Sequence, residues 1–203
     1  FLGDILSSGY FGAELAEIQP GDTVAVIGAG PVGLCAAMCA GLFGAGDVIL
    51  LDIDAHRLEL AKRLGLATYT INPSAESAEE AVRALTQGRG ADAVIEAAGG
   101  ADTFQTAWQI ARPNSVVALV AMYEQAQPFP LRNMYGKNLI FKTGGVDAVH
   151  CDRLMKLIAC GKLNTDFLIT HRAPLNDLME GYHVFGGKQE HCLKWAVTPP
   201  VNK

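Results

Sequence analysis

Residues Val24–Gly33 read VAVIGAGPVG, four apolar residues that run straight into a loop carrying three glycines. A loop almost without side chains is useful where the backbone itself must come close to something. Gly28, Gly30 and Gly33 have the spacing G-x-G-x-x-G, which by itself is shared with many glycine-rich turns. Here the spacing follows a β-rich run and opens an alanine-rich stretch of helical composition. Backbone N–H groups and the positive end of a helix then face one point, an arrangement suited to a pyrophosphate. Gly30 permits close approach of the ligand, and Gly33 lets helix and strand pack tightly.

The next apolar run, DVILLD, ends at Asp52, nineteen positions beyond Gly33. A carboxylate at that strand end can accept hydrogen bonds from both ribose hydroxyls of an adenosine. That placement favours NAD, because the extra phosphate of NADP would lie beside a negative charge. The following residue of like kind is Asp54 rather than an arginine, although Arg57 keeps NADP in play. The plainer alternative makes Asp52 a polar strand end and the glycines a tight turn.

Outward from this unit, short apolar runs at 23–28, 47–52, 68–71, 92–97, 115–121 and 139–143 alternate with helical stretches at 32–43, 55–64, 77–86, 102–111 and 149–160. Strands that are apolar almost throughout are expected when helices cover both faces of a parallel sheet. The fold class predicted is α/β, a Rossmann-type doubly wound six-stranded parallel sheet. Asn72-Pro73, Gly88–Gly90 and Pro113-Asn114 punctuate it as turns. Beyond Gly161 one further helix, at 175–185, and one strand, at 192–197, are surplus to the sheet. They are expected to form a C-terminal appendage belonging to another domain.

The composition narrows the function classes. At 203 residues, half of them hydrophobic, the chain has material for a sizeable core. A net charge of −5 gives neither nucleic acid nor an anionic membrane surface a reason to bind. The uncharged stretch 23–46 is long enough to suggest a membrane span, but its six glycines and Pro31 argue against one. The five cysteines form no C-x-x-C pair, so no disulfide framework or zinc cage is expected, and a reducing cytoplasm fits. Cys35 and Cys39 read as core residues rather than helix-face ligands. The five histidines have no metal-binding spacing and read as structural or exposed. The chain opens at Phe1 with no basic, leader-like segment, which suggests the middle of a longer protein.

Taken with LGDILSSGYFGAELAEIQPGDTVAVIGAGPVG, these residues resemble the medium-chain zinc-dependent alcohol dehydrogenases. The likeness is greatest to the branch of secondary-alcohol and glutathione-independent formaldehyde dehydrogenases, whose members carry a similar D-x-x-x-T-G-[YF]-H-G-A segment. The tail LITHRAPLNDLMEGYHVF and the later CLKWAVTP are similar to the segment with which that family returns to its catalytic domain. The resemblance implies a linking helix at 1–18, an NAD-binding domain at 19–165 and a returning segment at 166–203. It also implies hydride transfer between an alcohol and nicotinamide, with a small alcohol, aldehyde or ketone as substrate.

Residue by residue, the resemblance places Asp4 at an aspartate ligand of the catalytic zinc, where other members have cysteine. Ser8 stands at a threonine near the nicotinamide, and Phe11 replaces a frequent histidine. Gly28, Gly30, Val32 and Gly33 match the pyrophosphate loop, and Asp52 and Arg57 the adenosine-ribose contacts. Ala97, Val120 and Met122 match the lining of the cofactor cleft, and Lys194 a basic residue that reaches the pyrophosphate. On residue type alone, Asp4 and Ser8 read equally as helix caps and Lys194 as a solvated charge. An active zinc needs three protein ligands, and only Asp4 is offered here. The resemblance therefore implies a cofactor-domain fragment that binds NAD but holds no complete zinc site. It also implies a homodimer or homotetramer through the last sheet strand, NLIFKTGG. Two other readings stand beside it: a zinc-free relative of quinone-reductase type, and a dinucleotide-binding module without chemistry. Secondary alcohols, formaldehyde, butanediol, polyols and threonine all stay open as substrates.

Overall fold

A computed structural model of the chain describes residues 1–200, so the last three residues of the expected returning segment lie outside the described residues. The chain divides into two compact units, Phe1–Leu154 and the stretch from Met155 onward. The first unit contains the helix α1 (Ile5–Leu15) and then a strict alternation of strands and helices. These are β1 (Thr23–Ile27), α2 (Pro31–Leu42), β2 (Asp47–Leu51), α3 (Ala55–Arg63), β3 (Tyr69–Ile71), α4 (Ala78–Leu85), β4 (Ala91–Glu96), α5 (Thr103–Ile110) and β5 (Ala111–Leu119). A four-residue helix, α6 (Leu131–Met134), and the strand β6 (Ile140–Thr143) complete the sheet.

All six strands are parallel, in the order β3-β2-β1-β4-β5-β6. The expected doubly wound sheet is present. Val24, Ala25 and Val26 of the central strand are all fully buried although their side chains alternate between faces. Helices on both sides are the reason. On one face Ile27, Ile49, Leu51, Val94 and Val117 pack with Val82 of α4 and Ile110 of α5. On the other, α1 crosses α2 so closely that a Cβ on Gly9 would lie 2.5 Å from the Cβ of Cys35. Cys35 and Cys39 are buried there, and burial pushes the Cys39 thiol well above its ordinary pKa. Among the described residues no disulfide forms.

Local chemistry sets the helix ends. The Asp54 side chain accepts the amides of His56 and Arg57 to start α3, and Ser77 accepts that of Glu80 to start α4. The end of α5 is closed from a distant part of the chain. Lys137 donates through Nζ to the carbonyls of Trp108, Gln109 and Ala111 at 2.7–2.9 Å.

Three elements differ from expectation. Pro113-Asn114 does not separate α5 from the fifth strand. β5 already begins at Ala111, and its pairing with β4 shifts from Ala91↔Ala111 to Ala93↔Val116, with Asn114 at φ 60° taking up the irregularity. The helix α6 was not expected. In the second unit, β7 (His171–Pro174) was not expected either, and it pairs in parallel with β8 (Trp195–Thr198). The helix α7 (Cys151–Ala159) spans the division between the units, and α8 (Leu178–Gly186) belongs to the second. Among the described residues no helix is long and apolar enough to cross a membrane.

Candidate functional site

The strand order reverses direction between β1 and β4, so their following loops turn to opposite sides and leave a crevice at the strands' C-terminal ends. The glycine loop forms one wall of it. Pro31 occupies the first turn of α2, where its missing N–H costs nothing, and Gly30 is the N-cap. The amide of Gly28 donates to the Leu51 carbonyl at 2.7 Å and ties the loop to β2.

The three glycines are demanded by different things. Gly28 has φ 100° and sits against Ala97 and Ala98, so both its backbone and its surroundings exclude a side chain. A Cβ on Gly33 would lie 1.8 Å from the Gly28 carbonyl oxygen, which is impossible without rebuilding the loop. Gly30 has an ordinary φ of −70°, and a Cβ there would meet only Nη1 of Arg57, at 3.8 Å. Among the described residues nothing requires glycine at position 30.

Asp52 follows directly on β2. Its Oδ2 accepts the amide of Ala29, inside the glycine loop, at 2.5 Å, and its Oδ1 accepts the amide of Asp54 at 2.8 Å. Arg57, in the first turn of α3, pairs with Asp54 at 3.5 Å, and its guanidinium faces Gly30. Val32 is half-buried in the first turn of α2. Across the crevice, Ala97 is half-buried just after β4, and Val120 and Met122 follow β5, with Met122 94% exposed. Gly28, Gly30, Val32, Gly33, Asp52, Arg57, Ala97, Val120 and Met122 thus all lie at the same end of the sheet.

Asp4 and Ser8 lie at the start of α1. Asp4 stands at the helix N-cap, but its side chain accepts no capping hydrogen bond, so the capping alternative is not realised. It accepts instead a 3.4 Å hydrogen bond from Ser8 Oγ. Ser8 is buried in the second turn and caps nothing. Among the described residues no group of three or more histidine, cysteine, aspartate or glutamate side chains could hold a metal. The described residues alone do not complete a zinc site. Lys194 belongs to the second unit, where its Nζ lies 5.4 Å from the centre of the Phe185 ring. His150 meets Glu14 at 3.1 Å, and His171 stacks on Trp195 in that second unit.

The geometry adds two residues that pattern reading passed over. Ile53 is 72% exposed between Asp52 and Asp54, an apolar face beside the Asp52 carboxylate. The DVILLD-I-D pattern shows it only once the strand end is known to open on the crevice. Glu96, the last residue of β4, is fully buried. In the sequence it is the one charge closing an apolar run, which ordinarily marks the solvent end of a strand.

The zinc-binding dehydrogenase family pattern matches residues 31–147. An alcohol dehydrogenase of Cupriavidus necator is 35% identical over 202 residues, covering 97% of this chain and 54% of that relative. An NADP-dependent isopropanol dehydrogenase of Thermoanaerobacter brockii is 36% identical over 174 residues, 83% of this chain and 49% of that one. The solved alcohol dehydrogenase of Thermus sp. ATN1 superposes with a TM-score of 0.91 at 37% identity, covering 98% of this chain and 57% of that structure. The chain spans about half the length of the relatives it matches. With the glycine loop, the strand order and the acidic residue after β2 all in register, the chain belongs to the zinc-binding dehydrogenase family of oxidoreductases.

Proposed function

We propose that this chain is the cofactor-binding half of an NAD-dependent alcohol dehydrogenase. The observation that carries the reading is Gly30: the protein leaves room there that its own packing does not use. A pyrophosphate fills such room and accepts hydrogen bonds from the amides at the start of α2. Asp52 would take the adenosine ribose, Ile53 the base and Arg57 the outer edge of the ribose, while Ala97, Val120 and Met122 would line the nicotinamide half. When bound, the dinucleotide supplies hydride transfer to and from an alcohol carbon. The chain's own contribution is aim, electrostatics and exclusion of water from that half of the crevice.

In the longer protein, Asp4 would supply one ligand to a catalytic zinc, with the remaining ligands from outside this chain, and Ser8 would hold Asp4 in place. The segments 1–18 and 166–203 would belong with the domain that carries those ligands. A homodimer or homotetramer through β6, a cytoplasmic location and a small alcohol substrate complete the proposal. The similarity to an NADP-dependent isopropanol dehydrogenase, together with the approach of Arg57 to Gly30, supports NADP as the second reading.

Thermal-shift titration of the chain with NAD and with NADP tests this. A ligand that binds only the folded state stabilises by about 2.7 kcal/mol at a hundredfold excess over its dissociation constant. NAD is expected to raise the melting temperature and NADP to raise it less. A larger rise with NADP would move the assignment to the second reading, and no rise with either would remove the dinucleotide site from this chain.

A further inference from the structure

Glu96 ends β4 at the point where the crevice opens, and it is fully buried. Burying a carboxylate is costly unless hydrogen bonds compensate. Its Oε1 accepts two of them, from the amides of Ala98 at 2.9 Å and Gly99 at 2.8 Å. Its Oε2 has no hydrogen-bond partner among the described residues. The backbone carbonyl of the same residue accepts the amides of Val120 at 2.9 Å and Ala121 at 3.2 Å. One residue therefore ties the turn after β4 to the loop after β5.

That turn has little freedom. Gly99 has φ 67°, and a Cβ on it would lie 2.4 Å from the Met122 carbonyl oxygen, so the two loops touch through backbone. Ala98 also backs Gly28 of the glycine loop, where a Cβ would lie 3.0 Å from its side chain. Beyond Gly99, Thr103 Oγ1 donates to the Gly100 carbonyl at 3.0 Å and lies 3.4 Å from the Tyr123 hydroxyl. Burial raises the Tyr123 phenol pKa, and although the Thr103 hydrogen bond lowers it, the neighbouring Glu96 side chain raises it again, so the hydroxyl keeps its proton.

We propose that Glu96 is a positioning residue for the nicotinamide half of the crevice: its buried carboxylate fixes the Ala97–Gly99 turn, which its backbone carbonyl holds beside the Val120–Tyr123 loop, and so sets the groove in which that end of a dinucleotide lies. The proposal rests on reading the crevice as a dinucleotide site. A turn ordered before binding spares the ligand the entropy of ordering it. The adenosine half depends on the glycine loop and Asp52, neither of which bonds to the Glu96 side chain.

Calorimetric titration of the chain with NAD and with ADP separates the halves. Glu96→Ala is expected to weaken NAD by about tenfold or more and to leave ADP within about twofold, since only NAD reaches the turn. Glu96→Gln keeps an oxygen where Ala98 and Gly99 donate, and is expected to hold NAD within about threefold of the unsubstituted chain. Equal weakening of both ligands by Glu96→Ala would mean a purely structural role and would overturn the proposal, as would no weakening of either, or a Gln variant as impaired as the Ala variant. If the unsubstituted chain bound neither ligand, the dinucleotide reading itself would fall and this proposal with it.

Discussion

The carboxylate of Asp52 accepts the amide hydrogen of Ala29 at 2.5 Å, so the residue that would read a ribose also braces the loop that would hold the pyrophosphate. A carboxylate offers about four acceptor positions, and the amides of Ala29 and Asp54 use two of them. Two remain for the ribose hydroxyls. Asn in this place would turn an amide donor toward one of those backbone N–H groups. Asp52→Asn is therefore expected to weaken NAD by about ten- to a hundredfold, the value of one or two hydrogen bonds to a charged group. NADP, no longer repelled, should lose less. The ratio of the two dissociation constants checks this, and an unchanged ratio would mean that the carboxylate does not read the ribose.

Gly30 and Gly33 should fail in different ways. Gly30→Ala meets only the Arg57 guanidinium and an ordinary φ, so the melting temperature should change by less than about 1 kcal/mol allows, while dinucleotide affinity falls at least about tenfold. Gly33→Ala drives a methyl into the Gly28 carbonyl and should cost several kcal/mol, on the order of the largest overpacking penalties. Urea unfolding and a binding titration on both variants distinguish the outcomes. Loss of affinity only where stability is also lost would return Gly30 to the role of a turn residue.

The central unit was legible because its logic is carried by the backbone: an apolar strand, three glycines at fixed offsets and a proline at the first turn leave few alternatives. The start of β5 was not, because Pro113-Asn114 has the composition of a turn, and only pairing across to Ala91 shows that the chain continues extended through it. The strand β7 is four residues, HRAP, alternating half-buried and exposed, with histidine, arginine and proline; no apolar run marks it. Glu96 was hidden for a subtler reason. Pattern reading takes a charge at the end of an apolar run as the point where the strand meets water, whereas here the following turn folds back over it and closes it off.

A pH dependence follows from the other end of the sheet. Asp92, on β4, is only 12% exposed at its side chain and accepts the Thr23 amide at the start of β1 at 2.9 Å. Arg112 donates to it at 2.7 Å, and Arg89 lies at 3.6 Å. Burial alone would raise its pKa, but the Thr23 amide and the two guanidiniums outweigh burial and hold the carboxyl below its ordinary range. The folded protein then binds this proton less readily than the unfolded chain, whose aspartates titrate near about 3.9. The contribution is complete above that value and is lost as the pH falls through the lower folded pKa. Asp92→Asn should therefore cost about 1–3 kcal/mol at pH 7, and that gap should narrow as the pH is lowered from about 5 to about 3. Urea unfolding of both proteins across that range isolates the residue, because the remaining carboxylates contribute equally to each and cancel in the difference. A gap that stays constant with pH would mean that Asp92 ties β1 to β4 by shape rather than by charge.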